Sequence, residues 1–393
     1  MKGIYAGALA FAAWLPPLVA APAQEPLGGR GGWQLVPFYE HWRFDDGSVE
    51  RARSAWQWSF PVVGVATLGR VTVDAYAAYA VGEVEAEDLL GATTHARLSG
   101  MTDLKLRAVT RLVGDRLLLT AGVNVPTGAR ELEQEELGAL RVLGSPILRF
   151  ATPAFGTGPS GTLGVVVARP VGEWSVGFGA AAEVRGSYAP VDAAQFGFGD
   201  LDLDPGEAFR ISLGADRLVG QSAMSVSASA TIYTSDELSG EAIGVGTPLR
   251  ATVRLGPAFT AEWRMRVAAP GFRALDLFVH DRYRTRQEGI TGTKENGTSA
   301  NELDVGARGE IALGRRLGLT VGLDGRHHTG LEADRAMTTA GIVAGGMMLG
   351  LSVRTGAVTV LPFVRGTVGR IDNHVDTFSA NGWGAGLTLG SRF

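Results

Sequence analysis

The sequence contains no cysteine, no helix-length apolar run beyond its N-terminal stretch, and no large excess of charge. Without cysteine no disulfide can form, so hydrogen bonds and packing must stabilise the fold. The longest later apolar run, Ala340–Leu351, has about 12 residues, fewer than the ~18 that a membrane-spanning helix needs. A formal net charge of −4 argues against nucleic acid as a partner.

Residues 1–23 have the pattern of a secretory signal peptide. One lysine precedes an apolar stretch that extends to Val19, and the small-residue site Ala21–Ala23 follows. We expect cleavage before Gln24, so that residues 24–393 form the mature domain. An N-terminal membrane anchor is the alternative, which the paired prolines in this stretch disfavour because proline breaks helices. The exported chain is then either soluble in the periplasm or crosses the outer membrane as a barrel.

What the sequence has in abundance is glycine and an alternating pattern of apolar and polar residues. Glycine accounts for 56 of 393 residues, and a sheet tolerates it where strands bend or side chains crowd. Within Ser99–Gly128, Leu104 and Leu106 belong to one face and Lys105 and Arg107 to the other. Alternation with a period of two predicts β-strands.

The alternating segments come in pairs with very short joins, and long polar connections separate the pairs. Further pairs are predicted at 162–170 with 174–186, 208–218 with 223–233, 302–313 with 317–328 and 343–354 with 358–370. Long connections are predicted at 83–98, 129–157, 187–206, 235–246, 285–301, 329–337 and 371–381. Short turns at one end and long loops at the other are typical of outer-membrane barrels, whose turns are periplasmic and whose loops are extracellular.

The sequence therefore predicts an all-β fold, a closed antiparallel transmembrane barrel of about 16 strands. This count treats Thr260–Tyr283 as one long strand kinked at Pro270, and it becomes 14 if two weaker segments are loops. The last strand, residues 382–393, is expected to pair with the first, Trp33–Phe44, because an open edge is unfavourable in a membrane. The apolar face is expected to contact lipid and the polar face to line the lumen.

Aromatic residues are expected to form a girdle at the membrane boundary, where such rings are favoured. The candidates are Trp56, Trp58, Phe60, Trp383 and Phe393. Core packing is the alternative role if the protein is soluble. A C-terminal phenylalanine also resembles the signal by which the barrel-assembly machinery recognises outer-membrane proteins. The other predicted partners are membrane lipid, lipopolysaccharide and a small hydrophobic solute.

The stretch from Ser99 and Gly100 through Asp103 to the Pro126–Gly128 turn resembles one known family. It is similar to outer-membrane proteins of the meta-pathway phenol-degradation family, which are regarded as transporters. The resemblance implies a barrel that transports small solutes. A more distant similarity is to the long-chain fatty-acid transporter barrels, but residues 24–32 are too few to form the N-terminal plug of those proteins.

Charged residues recur on the predicted lumen face. The candidates are Asp103, Lys105, Arg107, Arg111, Glu262, Arg264, Arg266, Asp304, Arg308, Glu310, Asp324 and Arg326. One interpretation is a mutually neutralised ladder that solvates and stiffens the lumen. The other is a solute path in which arginines bind carboxylates or phenolates through paired hydrogen bonds. Residues 132–143 are a candidate for a short helix that folds into the bore.

No catalytic or metal-binding motif is evident in the sequence. His327 and His328 are adjacent, and neighbouring residues of a strand point to opposite faces, so they cannot readily bind one ion. We expect no enzymatic activity, no metal and no cofactor. The first functional hypothesis is an outer-membrane channel for small hydrophobic or aromatic solutes. The second is a structural or interaction barrel with a plugged lumen, and the third is a surface enzyme.

Overall fold

The computed structural model describes residues 31–45, 52–87, 92–114, 116–128, 131–145, 147–196, 198–242, 248–288, 299–331, 340–372 and 377–392. The predicted signal peptide and Phe393 lie outside these residues. Within them, no helix is long and apolar enough to cross a membrane.

The described chain forms twenty-one strand segments, one α-helix and a 3-10 turn at Ala193–Phe196. The elements are β1 (Gly31–Leu35), β2 (Phe38–Phe44), β3 (Ala52–Leu68), β4 (Val71–Glu87), β5 (Thr93–Met101), β6 (Leu104–Leu112), β7 (Leu117–Val125), α1 (Gln134–Leu143), β8 (Ser160–Val171), β9 (Trp174–Arg185), β10 (Phe198–Asp204), β11 (Ala208–Val219), β12 (Ser222–Tyr233), β13 (Asp236–Ala242), β14 (Pro248–Val253), β15 (Ala258–Val267), β16 (Phe272–Arg284), β17 (Ala300–Ala312), β18 (Leu317–Leu331), β19 (Ala340–Thr355), β20 (Val358–Asp372) and β21 (Thr377–Arg392).

Eighteen of the strand segments form one antiparallel sheet that closes on itself. The pair β1 and β2 acts as one strand interrupted at Val36-Pro37, and it bonds to β3 on one side and to β21 on the other. The pair β5 and β6 likewise acts as one strand, interrupted at Thr102-Asp103, and both segments bond to β4. The barrel therefore has sixteen strands, and the predicted pairing of the first and last strands is confirmed.

The loops are segregated by length as the sequence predicts. The turns at one end are short, and the described barrel begins and ends there, with Gly32 paired to Arg392. One prediction is wrong: Thr260–Tyr283 is not a single kinked strand. It forms most of the hairpin of β15 and β16, because Pro270 has no N–H to donate and Gly271 adopts a left-handed φ of 82°.

Several predicted long connections also contain strand residues. The connection at 83–98 is shorter than predicted, because β4 continues to Glu87 and β5 begins at Thr93. The connections at 187–206 and 235–246 contribute β10 and β13, which join β14 in a separate three-stranded antiparallel sheet.

The apolar face of the barrel points outward. Large hydrophobic side chains of this face are exposed, among them Leu163 at 70%, Val123 at 51% and Phe209 at 47%. The opposite face contacts residues 131–145 and 147–157, which run through the interior. A closed barrel with an apolar outer face is the form in which β-structure crosses a bilayer, since no backbone edge is left unpaired. The protein is an outer-membrane β-barrel.

Candidate functional site

Residues 131–145 and 147–157, named here the inward segment, fold into the barrel and contain α1. The helix begins at a capping box in which the Glu136 carboxylate accepts a hydrogen bond from the Glu133 N–H at 3.1 Å. It ends at Gly144, whose N–H donates to the Leu140 carbonyl at 2.6 Å. The predicted helix at 132–143 is thus confirmed, and residue Leu143 of its last turn is fully buried against the barrel wall.

Asp103 fastens both ends of the inward segment to the wall. Its carboxylate accepts hydrogen bonds from Asn124 Nδ2 at 2.8 Å and from the Gly128 N–H at 2.9 Å. It also accepts from the N–H and the hydroxyl of Thr157, at 2.8 and 3.1 Å. Thr127 Oγ1 in turn accepts from the Leu104 N–H at 3.0 Å.

These bonds give a physical meaning to the Ser99–Gly128 motif. Its aspartate and its final turn hold the point at which the chain leaves the wall and enters the bore. Asp103 is only 1% exposed and lies at the strand break. It is therefore an anchor of the inward segment, and its predicted role as a lumen-lining residue stays a prediction.

Further anchors hold the inward segment to other strands, and those on β17 and β18 lie across the bore from Asp103. The Gln57 side chain donates to the Thr152 carbonyl and accepts from the Thr152 N–H, both at 2.9 Å. Arg149 contacts Asp304 at 2.5 Å, and Arg326 donates to the Leu148 carbonyl at 3.4 Å. Gln57 belongs to β3, whereas Asp304 and Arg326 belong to β17 and β18. Such distant strands can share one segment only if it lies inside the barrel.

The inward segment packs against an apolar surface on one side of the barrel. This surface, named here the apolar seat, includes Trp42 of β2 and the facing glycines of β21. Leu143 and Phe150 pack in a fully buried cluster with Trp42 from β2. Glycines on β21 leave room for the seat: a Cβ on Gly382 would lie 2.9 Å from the Trp42 ring. Gly384 and Gly386 likewise face aromatic rings of the neighbouring strands.

The opposite wall, named here the open wall, consists of β8, β9, β11, β12, β15 and β16. Small and hydroxyl side chains are frequent on the inward rows of β11 and β12, whereas β15 and β16 carry charged and aromatic ones. On β12, Ser225, Ser227 and Ser229 occupy the inward row, opposite Asp216, Gly214 and Ser212 of β11. All three serines are partly exposed. The inward side chains next to them include Arg264 of β15, whose side chain is 47% exposed. Solvent therefore reaches this part of the interior.

An extracellular loop segment, residues 188–192, lies over the junction between the inward segment and the open wall. Residues 188–192 bond to the start of the inward segment through the Leu132 N–H, which donates to the Pro190 carbonyl at 3.3 Å. Burial, with the carboxylates of Asp103 and Asp236 nearby, raises the pKa of the Tyr188 phenol. The Tyr188 ring contacts Gly158, where the inward segment rejoins the wall.

Apart from Asp103, the strand registers place the predicted lumen residues on the inward rows of their strands. These are Lys105, Arg107, Arg111, Glu262, Arg264, Arg266, Asp304, Arg308, Glu310, Asp324 and Arg326. Their positions agree with the alternation, but this placement by itself assigns no role in solute passage.

The ion pairs mostly involve partners that the sequence analysis missed. Arg107 pairs with Asp74 at 2.8 Å and Arg266 with Asp276 at 2.7 Å. Asp324 lies on the predicted hairpin with Asp304, yet it pairs with Arg365 of β20 at 2.7 Å.

Glu310 shows the same pattern. It contacts Arg273 at 2.8 Å and Arg354 at 2.5 Å, and it accepts a hydrogen bond from Ser352 Oγ at 3.0 Å. Arg264 is an exception, since it pairs with Glu262 of its own strand. In the sequence, the only signal for these partners was that they alternate in phase with the other inward-facing residues. The register between neighbouring strands decides which of these side chains come into contact.

Histidines and aromatics also follow the face assignment. His328 is fully buried, with its Nε2 3.2 Å from Asp304, whereas His327 is exposed on the outer face. Among the described residues, no cluster of acidic and histidine side chains has the arrangement of a metal site.

The girdle candidates Trp56, Trp58, Phe60 and Trp383 lie on the outer face. Tyr39 joins them, with its ring 5.0 Å from Trp58 and 5.1 Å from Trp383. Their place at the membrane boundary stays a prediction, as do lipid and lipopolysaccharide as partners. Phe393 and its contact with the assembly machinery lie outside the described residues.

Comparison with known proteins adds similarity of fold. No family model matches the chain, and no curated protein matches it. Among solved structures, OprB of Pseudomonas putida at low pH is 12% identical, with 93% of each chain covered and a TM-score of 0.45. A mutant of the monoaromatic hydrocarbon channel TodX is 10% identical, with 93% of this chain and 91% of that chain covered and a TM-score of 0.47.

OccK2 of Pseudomonas aeruginosa is 11% identical, with 92% of this chain and 97% of that chain covered and a TM-score of 0.45. At such identities and scores, these likenesses carry no argument about substrate or mechanism. The assignment of the barrel rests on its own strand pairing.

Proposed function

We propose that the protein is an outer-membrane channel for small hydrophobic or aromatic solutes. The observation that carries this proposal is the difference in solvent exposure between two side chains that point into the barrel. The Arg264 side chain is 47% exposed, whereas His328 beside the inward segment is 0% exposed. The interior is thus filled on one side and accessible to solvent on the other.

The inward segment narrows a bore that a sixteen-stranded barrel would otherwise leave wide. Its anchors at Asp103, Gln57 and Asp304 lie on three separate parts of the wall. A segment held at several points sets a constant width, which is what a channel that selects solutes by size requires. Small side chains on β11 and β12 keep the remaining gap open.

The proposed solute class draws on the residue pattern around Asp103. Ser99–Gly128 resembles the meta-pathway phenol-degradation family, and the hydrogen bonds of Asp103 account for why those residue types occur there. We propose a transport role without catalysis. The inward face offers aromatic rings such as Phe278 and Tyr233 beside its hydroxyl groups, a surface suited to a ring-bearing solute.

A structural barrel with a plugged lumen is the second candidate. The observation that favours it is the complete burial of the inward segment at Ile147, Leu148 and Leu143. If the loops close the remaining gap, such a barrel would not conduct.

Conductance in planar lipid bilayers separates the two candidates. We expect steady open currents from the full-length protein, and uptake of small aromatic solutes that is lost when the gene is deleted. Ser227→Trp should lower the conductance by about half or more, because Ser227 lies on the inward row of the open wall. Val226→Trp is the matched control, since Val226 points to lipid and is 43% exposed. A silent wild-type protein would favour the plugged barrel, and equal effects of the two variants would refute the assigned path.

A further inference from the structure

Four arginines that the sequence analysis did not single out converge on the open wall. They are named here the arginine arc: Arg185, Arg210, Arg282 and Arg284. All four lie on inward rows near the extracellular ends of β9, β11 and β16. The arc lies on the side of the barrel opposite the apolar seat.

The strand register brings the arc together. Arg210 lies opposite Thr231, Thr231 opposite Ala258, and Ala258 opposite Arg284. Neighbouring strands are separated by about 4.8 Å, so this row spans roughly 14 Å between the outer two backbones. Two long arginine side chains can approach each other across such a distance on a concave wall.

Side-chain contacts confirm that the arc converges. Arg185 of β9 reaches past β11, and its Cζ lies 5.9 Å from the centre of the Tyr233 ring of β12. Arg210 Nε donates to Thr231 Oγ1 at 3.3 Å, and the charges of Arg210 and Arg282 interact. Arg185, Arg210 and Arg282 therefore lie around one patch that carries Tyr233 and Thr231, and Arg284 lies in the same register row as Arg210 and Thr231.

The arc has more positive charge than its acidic neighbours balance. Glu183 lies 3.9 Å from Arg185, and Glu302 lies 4.0 Å from Arg282, both at the limit of an ion pair. The Nε atoms of Arg185 and Arg284 are buried and have no hydrogen-bond partner among the described residues. Buried donors without acceptors are unfavourable, so an anion that supplies acceptors would stabilise the arrangement.

We propose that the arginine arc binds the carboxylate of a small organic acid. A carboxylate matches the fork of a guanidinium through two parallel hydrogen bonds. The Thr231 hydroxyl can add a further bond, and the Tyr233 ring can contact the apolar body of the acid. As an account of solute selection this rests on the proposed channel function, whereas binding at the arc does not depend on conduction.

Equilibrium dialysis of the full-length barrel, refolded in detergent, tests binding directly. The probes are benzoate, inorganic phosphate and benzyl alcohol. Benzoate carries both a negative charge and an aromatic ring, phosphate carries only the charge, and benzyl alcohol carries only the ring. We expect benzoate to bind more tightly than either of the other two. The double variant Arg282→Gln with Arg284→Gln should weaken benzoate binding at least tenfold.

Two further variants serve as controls. Arg250→Gln removes a charge from the three-stranded extracellular sheet, where the Arg250 side chain is 73% exposed, and it should leave benzoate binding unchanged. Arg282→Lys with Arg284→Lys keeps the charge but loses the forks, so binding should be intermediate. Heat-modifiable gel migration verifies that each variant is folded before dialysis.

The following results would overturn the assignment of a carboxylate site to the arginine arc. Phosphate or benzyl alcohol that binds as tightly as benzoate would rule out a carboxylate site, as would undiminished benzoate binding in the double glutamine variant. Bilayer currents test the channel separately. A barrel that conducts no current but binds benzoate through the arc would refute the channel function and support the carboxylate site. A barrel that conducts but binds no benzoate would support the channel function and refute the site.

Discussion

The outer face is apolar on both sides of this barrel, whereas the inner faces of the two sides carry different kinds of side chain. On β2 and β21, the inward rows combine large rings with glycines, so that Trp42 lies over Gly382 and Phe38 over Gly384. On β11 and β12, the inward rows carry serine and glycine, with Ser212 opposite Ser229 and Gly214 opposite Ser227. The outer alternation builds the barrel, and the inner rows decide what fills it.

The difference also concerns how polar groups are satisfied. Beside the inward segment, Gln57, Asp103 and His328 are almost completely buried and make direct hydrogen bonds to backbone or carboxylate partners. On the open wall, some charged groups are solvated, as the exposed Arg264 side chain illustrates. One side of the interior thus resembles a protein core and the other a solvated surface.

Removing the filled side should give the largest effect. If residues 132–155 are replaced by a short glycine-serine linker, the single-channel conductance should rise several-fold, because the bore of a sixteen-stranded barrel becomes continuous. Replacement of β13 and β14, which lie outside the barrel sheet, is the matched control and should leave the conductance unchanged. An unchanged conductance in the first variant would show that the inward segment does not restrict the bore.

Loss of the Asp103 anchor should follow in size. Asp103→Ala removes the acceptor of four hydrogen bonds from three partner residues, and hydrogen bonds to charged groups contribute about 1.5–3 kcal/mol each before relaxation. We expect the free energy of unfolding in urea to fall by about 3 kcal/mol and protease cleavage within 131–145 to accelerate. Asp74→Ala breaks one partly exposed pair with Arg107 and should cost under ~1 kcal/mol. Equal losses would contradict the anchoring role.

The glycines of β21 should show the smallest effect. Gly382→Ala places a Cβ 2.9 Å from the Trp42 ring, and such overpacking destabilises by about 1–3 kcal/mol. Gly366 of β20 faces outward with nothing within 4 Å of a new Cβ, so Gly366→Ala should be neutral or slightly stabilising. Urea titrations of the two variants test the contrast, and a loss in Gly366→Ala alone would reverse our view of the two faces.

Several features of the fold were predictable because they depend on local alternation. The face of Leu104 and Lys105, the sixteen strands and the pairing of Trp33–Phe44 with the last strand all follow from a period of two and the need to close the sheet. The division of the Pro270-Gly271 region was misjudged because a proline can mark either a kink or a turn. The three-stranded sheet was missed because its strands have no apolar face toward lipid.

The candidate site was predictable only in part. Alternation placed Arg264, Glu310 and Asp324 on inward rows, but it gave no information about which residues they would meet. Their partners include Arg354 and Arg365, which are distant in the chain and adjacent only in the closed barrel. The arginine arc was overlooked because its members are spread over three strands, with Arg185 on β9, Arg210 on β11 and the pair Arg282 and Arg284 on β16.

The sequence by itself determined that this chain makes amphipathic strands with one apolar face, because side-chain direction in a strand alternates at every residue. It also indicated a candidate helix at 132–143. Only the tertiary structure decided that the helix packs on one side of the interior, whereas Arg264 on the other side is exposed to solvent. That outcome depends on contacts between residues more than a hundred positions apart, such as Arg149 with Asp304, which no local pattern encodes.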